Sequence, residues 1–212
     1  MKYRGAIFDL DGTLLDSLQD LADSMNQVLK SEGLPFHPVE DYKYFVGNGM
    51  YNLVMRTLPP EKREESYINH CYKLMNMEYE KRWADTTKPY EGIPELLDKL
   101  TNLKFKLAVL SNKPHRFTQL VVEKLLPHWK FDVVFGQRQG VPRKPDPAGA
   151  FEIAEIFGIP PKEFLYFGDS GTDMTTAKAA GMFAVGVLWG FRTADELLES
   201  GADLLIEKPT DI

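Results

Sequence analysis

Six short runs, several of them apolar at every position, constrain what this chain can fold into. They are Ala6-Ile7-Phe8, residues 107–110, 131–135, 164–167 and 183–187, and Leu204-Leu205-Ile206. A strand with one wet face alternates apolar and polar residues. An unbroken run instead fits a strand covered on both faces, as in a parallel sheet between helices. Helical patterns separate the later runs, at 94–103, 114–126, 147–157, 172–180 and 194–200. Three of them begin at proline, whose fixed φ suits a first helical turn. Strand and helix in alternation predict an α/β fold with a Rossmann-like parallel sheet and right-handed crossovers.

The alternation breaks once, between the first run and the second. Residues 17–30 read as a helix, and Ser17-Leu18-Gln19-Asp20 has the pattern of a capping box. Residues 61–83 read as a longer helix, with Ile68, Cys71, Met75, Tyr79 and Trp83 forming one apolar stripe. We therefore expect residues 16–86 to form an inserted helical subdomain. Residues 1–15 and 87–212 would form the α/β core, with a return hinge at 85–90.

Composition narrows the class. Hydrophobic residues make up 43% and charged residues 26%, enough for a real core. The net charge of −6 is spread along the chain, which argues against a nucleic-acid partner. Cys71 is the only cysteine, so no intrachain disulfide forms, and it reads as a small buried helix residue. The first residues do not resemble a secretion signal, and no apolar stretch reaches membrane-spanning length. A cytoplasmic protein without a membrane partner is expected.

Two strand ends carry acids. The first run leads into Asp9-Leu10-Asp11-Gly12-Thr13, and the fourth into Gly168-Asp169-Ser170-Gly171-Thr172-Asp173. Each alone reads equally well as a plain turn or a helix cap. In a parallel sheet, however, both leave the carboxyl edge where ligands bind, so four carboxylates are expected to converge. At ~4 Å and an effective dielectric of about 20, each like-charge pair costs on the order of 4 kcal/mol. A hard divalent cation with oxygen ligands relieves that repulsion. Ser111-Asn112 ends the second run ahead of a helix start, a ready anion site. Lys144 stands beside Pro145, where it is either solvated or a fixed charge for a phosphoryl oxygen.

Taken together, Asp9-x-Asp11-Gly12-Thr13, Ser111-Asn112, Lys144-Pro145 and Gly168-Asp169-x-x-x-Asp173 resemble the four ordered motifs of the haloacid dehalogenase superfamily. The insertion after the first motif resembles that superfamily's helical cap. Residues 45–49 and Trp189-Gly190-Phe191-Arg192 resemble its phosphoglycolate phosphatase branch. Glu91 departs from the pattern, since relatives often carry proline there. The resemblance implies a phosphatase of small phosphate monoesters, with Asp9 as nucleophile and Asp11 as general acid and base. It implies Mg²⁺ held by Asp9, Asp169 and the Asp11 carbonyl, with Asp173 near it. Ser111, the Asn112 backbone and Lys144 would hold the phosphoryl group. Gly47, Asn48 and Gly49 would approach the substrate from the cap, although a plain turn is an equal reading of them.

Other chemistries lack their residues. The chain has no Gly-Lys-Ser/Thr loop, no Gly-x-Ser-x-Gly and no His-Glu-x-x-His. Gly47 and Gly49 are followed by Asn52 where a dinucleotide loop needs glycine. His37, His70, His115 and His128 share no ligand spacing and read as surface residues. The remaining alternatives on the same scaffold are a pyrophosphatase, a nucleotidase, a sugar-phosphate mutase or a non-catalytic binding protein. The expected partner is a small phosphate ester, and the chain is expected to act as a monomer or weak dimer.

Overall fold

The computed structural model describes residues 2–212. In chain order its strands are β1 (Gly5–Phe8), β2 (Leu15–Asp16), β3 (Lys88–Pro89), β4 (Lys106–Pro114), β5 (Val133–Gln137), β6 (Phe164–Gly168), β7 (Phe183–Val187) and β8 (Leu204–Ile206). Its α-helices are α1 (Leu18–Ser31), α2 (Tyr42–Phe45), α3 (Met50–Thr57), α4 (Glu65–Arg82), α5 (Ile93–Asn102), α6 (His115–Leu125), α7 (Ala148–Phe157), α8 (Gly171–Ala179) and α9 (Ala194–Glu199).

Six strands form a wholly parallel sheet in the order β5-β4-β1-β6-β7-β8. The unbroken apolar runs follow from its two covered faces. Ala6 and Phe8 point into a cluster with Leu96 and Leu97 of α5 and Val121 of α6. Ile7 points the other way, into a cluster with Ile153 of α7 and Met174 of α8. Phe8 also stacks on Phe167 of β6, ring centroids 4.6 Å apart. From β1 the chain winds outward to β5 on one side and to β8 on the other. Strand order therefore reverses beside β1, the place where parallel sheets open a ligand crevice.

The expected elements form, with local differences. The third run starts its strand at Val133, and Phe131 only packs against the core. Of the three prolines expected inside first turns, only Pro94 is inside; Pro114 and Pro147 stand one residue before α6 and α7. The long helix starts at Glu65, because Pro60–Lys62 wind as a separate 3-10 turn.

Helices α1 to α4 lie between β2 and β3, a two-stranded antiparallel ribbon that the sequence pattern does not show. They bury their own cluster, including Met25, Val54, Ile68, Cys71, Met75 and Tyr79. The predicted α4 stripe is thus its inner face, with Trp83 half-buried where this cluster meets the sheet's. The capping box does not form. The Ser17 hydroxyl donates to Asp11 Oδ1 at 2.6 Å instead of capping α1. Asp20 turns to the returning chain, accepting from the backbone N–H and hydroxyl groups of Thr86 and Thr87 at 2.6–3.1 Å. Among the described residues, no helix is long and apolar enough to cross a membrane.

Candidate active site

The carboxyl ends of β1, β4 and β6 meet at one point. Asp9 follows β1 directly, and its N–H donates to the Phe167 carbonyl at 2.9 Å, continuing the sheet by one bond. Asp169 follows β6. The turn after Asp9 brings Gly12 so close to Asp169 that a Cβ there would lie 2.3 Å from the carboxylate, at φ +86°. Only glycine fits this approach. Asp173 lies in the first turn of α8, where its Oδ2 accepts from the Ser170 N–H at 3.2 Å and from the Ser170 hydroxyl at 2.6 Å.

One oxygen from each of Asp9, Asp169 and Asp173 lies within 4.8 Å of the others, and all three residues are buried. Lys144 Nζ reaches into this group, 2.9 Å from Asp9 Oδ1 and 2.7 Å from Asp173 Oδ1. Burial, reinforced by Asp173, pushes the Asp9 carboxyl up to about 7 against the pull of Lys144. Burial and then Asp173 and Asp9 push Asp169 up to about 8. Burial opposes the Lys144 charge as well, but Asp173 and Asp9 outweigh it and hold the ammonium well above the ordinary lysine range. Three buried carboxylates facing one ammonium leave an excess of negative charge that a hard cation fits. These three carboxylates are the residues that would hold such a cation, with oxygen donors suited to a hard divalent ion.

The fourth acid does not join this group, contrary to expectation. The Asp11 carboxylate turns away toward Lys113, whose Nζ donates to Oδ1 at 2.9 Å and to Oδ2 at 3.0 Å, while Ser17 also donates to Oδ1. Beside the three acids Asp11 would add a like charge, whereas Lys113 offers it an opposite one. Lys113 is 2% exposed at its side chain and lies over the Tyr79 ring, 4.6 Å from the centroid.

Ser111 and Asn112 are buried at the end of β4. The Asn112 amide is a brace: it accepts from Lys144 N–H at 3.0 Å and donates to the carbonyls of Lys144 and Gly47, each at 3.1 Å. Gly47 and Gly49 line a small cavity of about 30 Å³ with Asp9, Asp11, Ser111 and Lys113. Asn48, expected to join them, faces away from it. Its amide donates to Thr172 at 3.3 Å and accepts from Arg56 at 2.7 Å. Arg192 fastens the same loop by donating to the carbonyls of Lys43 and Val46. His70 and His128 are exposed, whereas His37 and His115 are half-buried and hydrogen-bonded, to the Thr57 carbonyl and the Gly136 N–H.

Comparison with known proteins agrees with this geometry. Residues 6–187 match the haloacid dehalogenase-like hydrolase family. The chain belongs to that family. A phosphoglycolate phosphatase of Chromobacterium violaceum is 32% identical over 212 residues, covering 99% of this chain and 94% of its own. One from Aquifex aeolicus is 31% identical over 209 residues, with the same coverage. A crystal structure from Lactobacillus delbrueckii subsp. bulgaricus superposes with a TM-score of 0.93 at 32% identity, over 100% of this chain and 97% of that one. A predicted phosphoglycolate phosphatase from Haemophilus somnus gives 0.90 at 28%, over 100% and 96%.

For a haloacid dehalogenase-like hydrolase, the residues that sequence reasoning missed are the supports. The sequence pattern assigns Lys113 no role, places Asp20 in a capping box, and places Arg192 in a subfamily motif. None of the three carries a local signal of its supporting role, because the partners lie 102, 66 and 149 positions away along the chain.

Proposed function

We propose that this chain is a Mg²⁺-dependent phosphatase of a small phosphate monoester, of the 2-phosphoglycolate type, working through an aspartyl-phosphate. The observation that carries it is the buried group of Asp9, Asp169, Asp173 and Lys144 at the point where strand order reverses. The names of the relatives support the substrate class.

In this reading an Asp9 oxygen attacks phosphorus, the ester P–O bond breaks, and Asp11 gives its proton to the departing alkoxide. Asp11 then takes a proton from water, which attacks the aspartyl-phosphate and releases phosphate and free Asp9. Bound Mg²⁺ would neutralise charge so that two anions can approach. Ser111, the Asn112 backbone and Lys144 hold the phosphoryl oxygens. Residues 16–86 act as a cap hinged at β2 and β3. A cavity of about 30 Å³ holds little more than water, so the loop of Gly47, Asn48 and Gly49 must part to admit an ester. We further read the enzyme as cytoplasmic, in keeping with its single buried thiol at Cys71, and as a monomer or weak dimer with no nucleic-acid partner.

The test is phosphate release from p-nitrophenyl phosphate and 2-phosphoglycolate, in EDTA and after Mg²⁺ is restored. Release that requires Mg²⁺ and favours 2-phosphoglycolate is expected. No release from any small ester in Mg²⁺ rejects the phosphatase reading.

A further inference from the structure

Besides the phosphoryl-binding residues, the cavity beside Asp9 has walls of a distinct kind. Leu21, Val46, Met50 and Leu53 make them apolar, and Lys113 is the one cation among the lining residues. The other cations nearby are committed elsewhere. Lys144 serves Asp9 and Asp173, Arg192 holds the carbonyls of Lys43 and Val46 and pairs with Glu196, and Arg143 donates to the Asn48 carbonyl from an exposed position. The leaving group therefore meets apolar contact and one buried ammonium.

We infer that Lys113 is the residue that selects the leaving group, by pairing with a carboxylate on the carbon bonded to the ester oxygen. This rests on the phosphatase reading and adds to it the residue that makes the enzyme prefer an acid. Lys113 Nζ lies within 3.0 Å of both Asp11 oxygens. When Asp11 turns to the ester oxygen, the ammonium loses a bidentate partner while it remains shut between Tyr79 and the cavity. A buried charge without a partner is costly, and a neutral leaving group leaves it so. A carboxylate one carbon from the ester oxygen lies within about 3 Å of that oxygen, inside hydrogen-bond reach of an ammonium that already touches Asp11. A longer or neutral alcohol offers no anion at that place.

The experiment compares 2-phosphoglycolate with its amide, which has the same shape and no carboxylate charge, in the parent and in Lys113→Met. The readout is the ratio of kcat/KM for the two esters, a quantity independent of how much of a variant is folded. The parent should favour the acid by on the order of a hundredfold. In Lys113→Met the ratio should fall to within about threefold of one, even though loss of the Asp11 partner slows both esters. No preference in the parent, or a ratio unchanged in the variant, overturns the assignment. Equal loss on both esters, down to complete loss, also overturns it, because Lys113 would then act only through Asp11. A parent inactive on both esters and on p-nitrophenyl phosphate rejects the phosphatase reading itself, and this assignment with it.

Discussion

Asp9 and Lys144 illustrate how one residue's chemistry is set by its neighbours. An isolated buried carboxylate would stay protonated, and an isolated buried ammonium would shed its proton. At 2.9 Å each keeps the other usable, and Asp173 ties the lysine from the other side. Asp9→Asn should therefore remove the nucleophile while preserving the packing. Its turnover should fall by at least about a thousandfold with an unchanged circular dichroism spectrum. Activity within tenfold of the parent would take Asp9 out of that role. The acids and Lys144 were legible from short motifs: Asp9 and Asp11 follow β1 ahead of Gly12, Asp169 and Asp173 follow Gly168 at the end of β6, and Lys144 precedes Pro145. Lys113 was not, because its partner Asp11 is 102 positions away and only the sheet order brings them together. Ser17 is ambiguous for a related reason: its hydroxyl could cap α1 or bond Asp11, and it bonds the half-buried carboxylate.

Between elements, the decisive joint is the ribbon of β2 and β3, where the helical insertion leaves the sheet and returns to it. Strands of two residues carry no periodicity, so pattern reading could not find them. Asp20 locks the joint from the first turn of α1 by accepting from Thr86 and Thr87, and it is 1% exposed. Asp20→Ala removes the acceptor of the buried Thr87 hydroxyl and N–H and of the exposed Thr86 pair, so it should destabilise the protein by about 1–3 kcal/mol, measurable by urea unfolding. A loss below about 0.5 kcal/mol would show that the joint is held elsewhere. The loop of Gly47 to Gly49 is the second joint. A Cβ on Gly49 would meet Arg143 Nη1 at 3.1 Å and the Asn112 carbonyl at 3.2 Å, with φ at +87°. Gly49→Val should thus hold the loop away from the sheet. If the loop reads the leaving group, kcat/KM for 2-phosphoglycolate should fall at least tenfold more than for p-nitrophenyl phosphate. Equal reductions would deny the loop a part in recognition.

Across the whole molecule, the sheet was the most legible feature, because strands covered on both faces must be apolar at every position. Ala6, Ile7 and Phe8 supply both clusters at once. The same architecture concentrates buried carboxylates in its middle, and that should make stability depend on pH and, on the proposed reading, on Mg²⁺. Without Mg²⁺, Asp9 and Asp169 are raised from 3.8 to about 7 and about 8. Between pH 4 and those values the folded protein holds protons that the unfolded chain has released. Their contribution is fully present below 3.8 and is lost as pH rises through 7 to 8. Each proton contributes a slope of about 1.4 kcal/mol per pH unit. Lys144, held above its ordinary value, contributes evenly across this window. His115, pushed down by burial and by Arg138, opposes the trend only up to about its ordinary 6.5. The EDTA-treated protein should therefore melt lower at pH 8.5 than at pH 6.5, by about 2–6 °C. Mg²⁺ requires the deprotonated carboxylates, so the rise in melting temperature it produces should be larger at pH 8.5. Scanning calorimetry at both pH values, with EDTA and with Mg²⁺, measures all four points. A melting temperature in EDTA that is flat or rising with pH, or an equal Mg²⁺ shift at both, would mean that the buried carboxylates do not make this fold sensitive to pH and Mg²⁺.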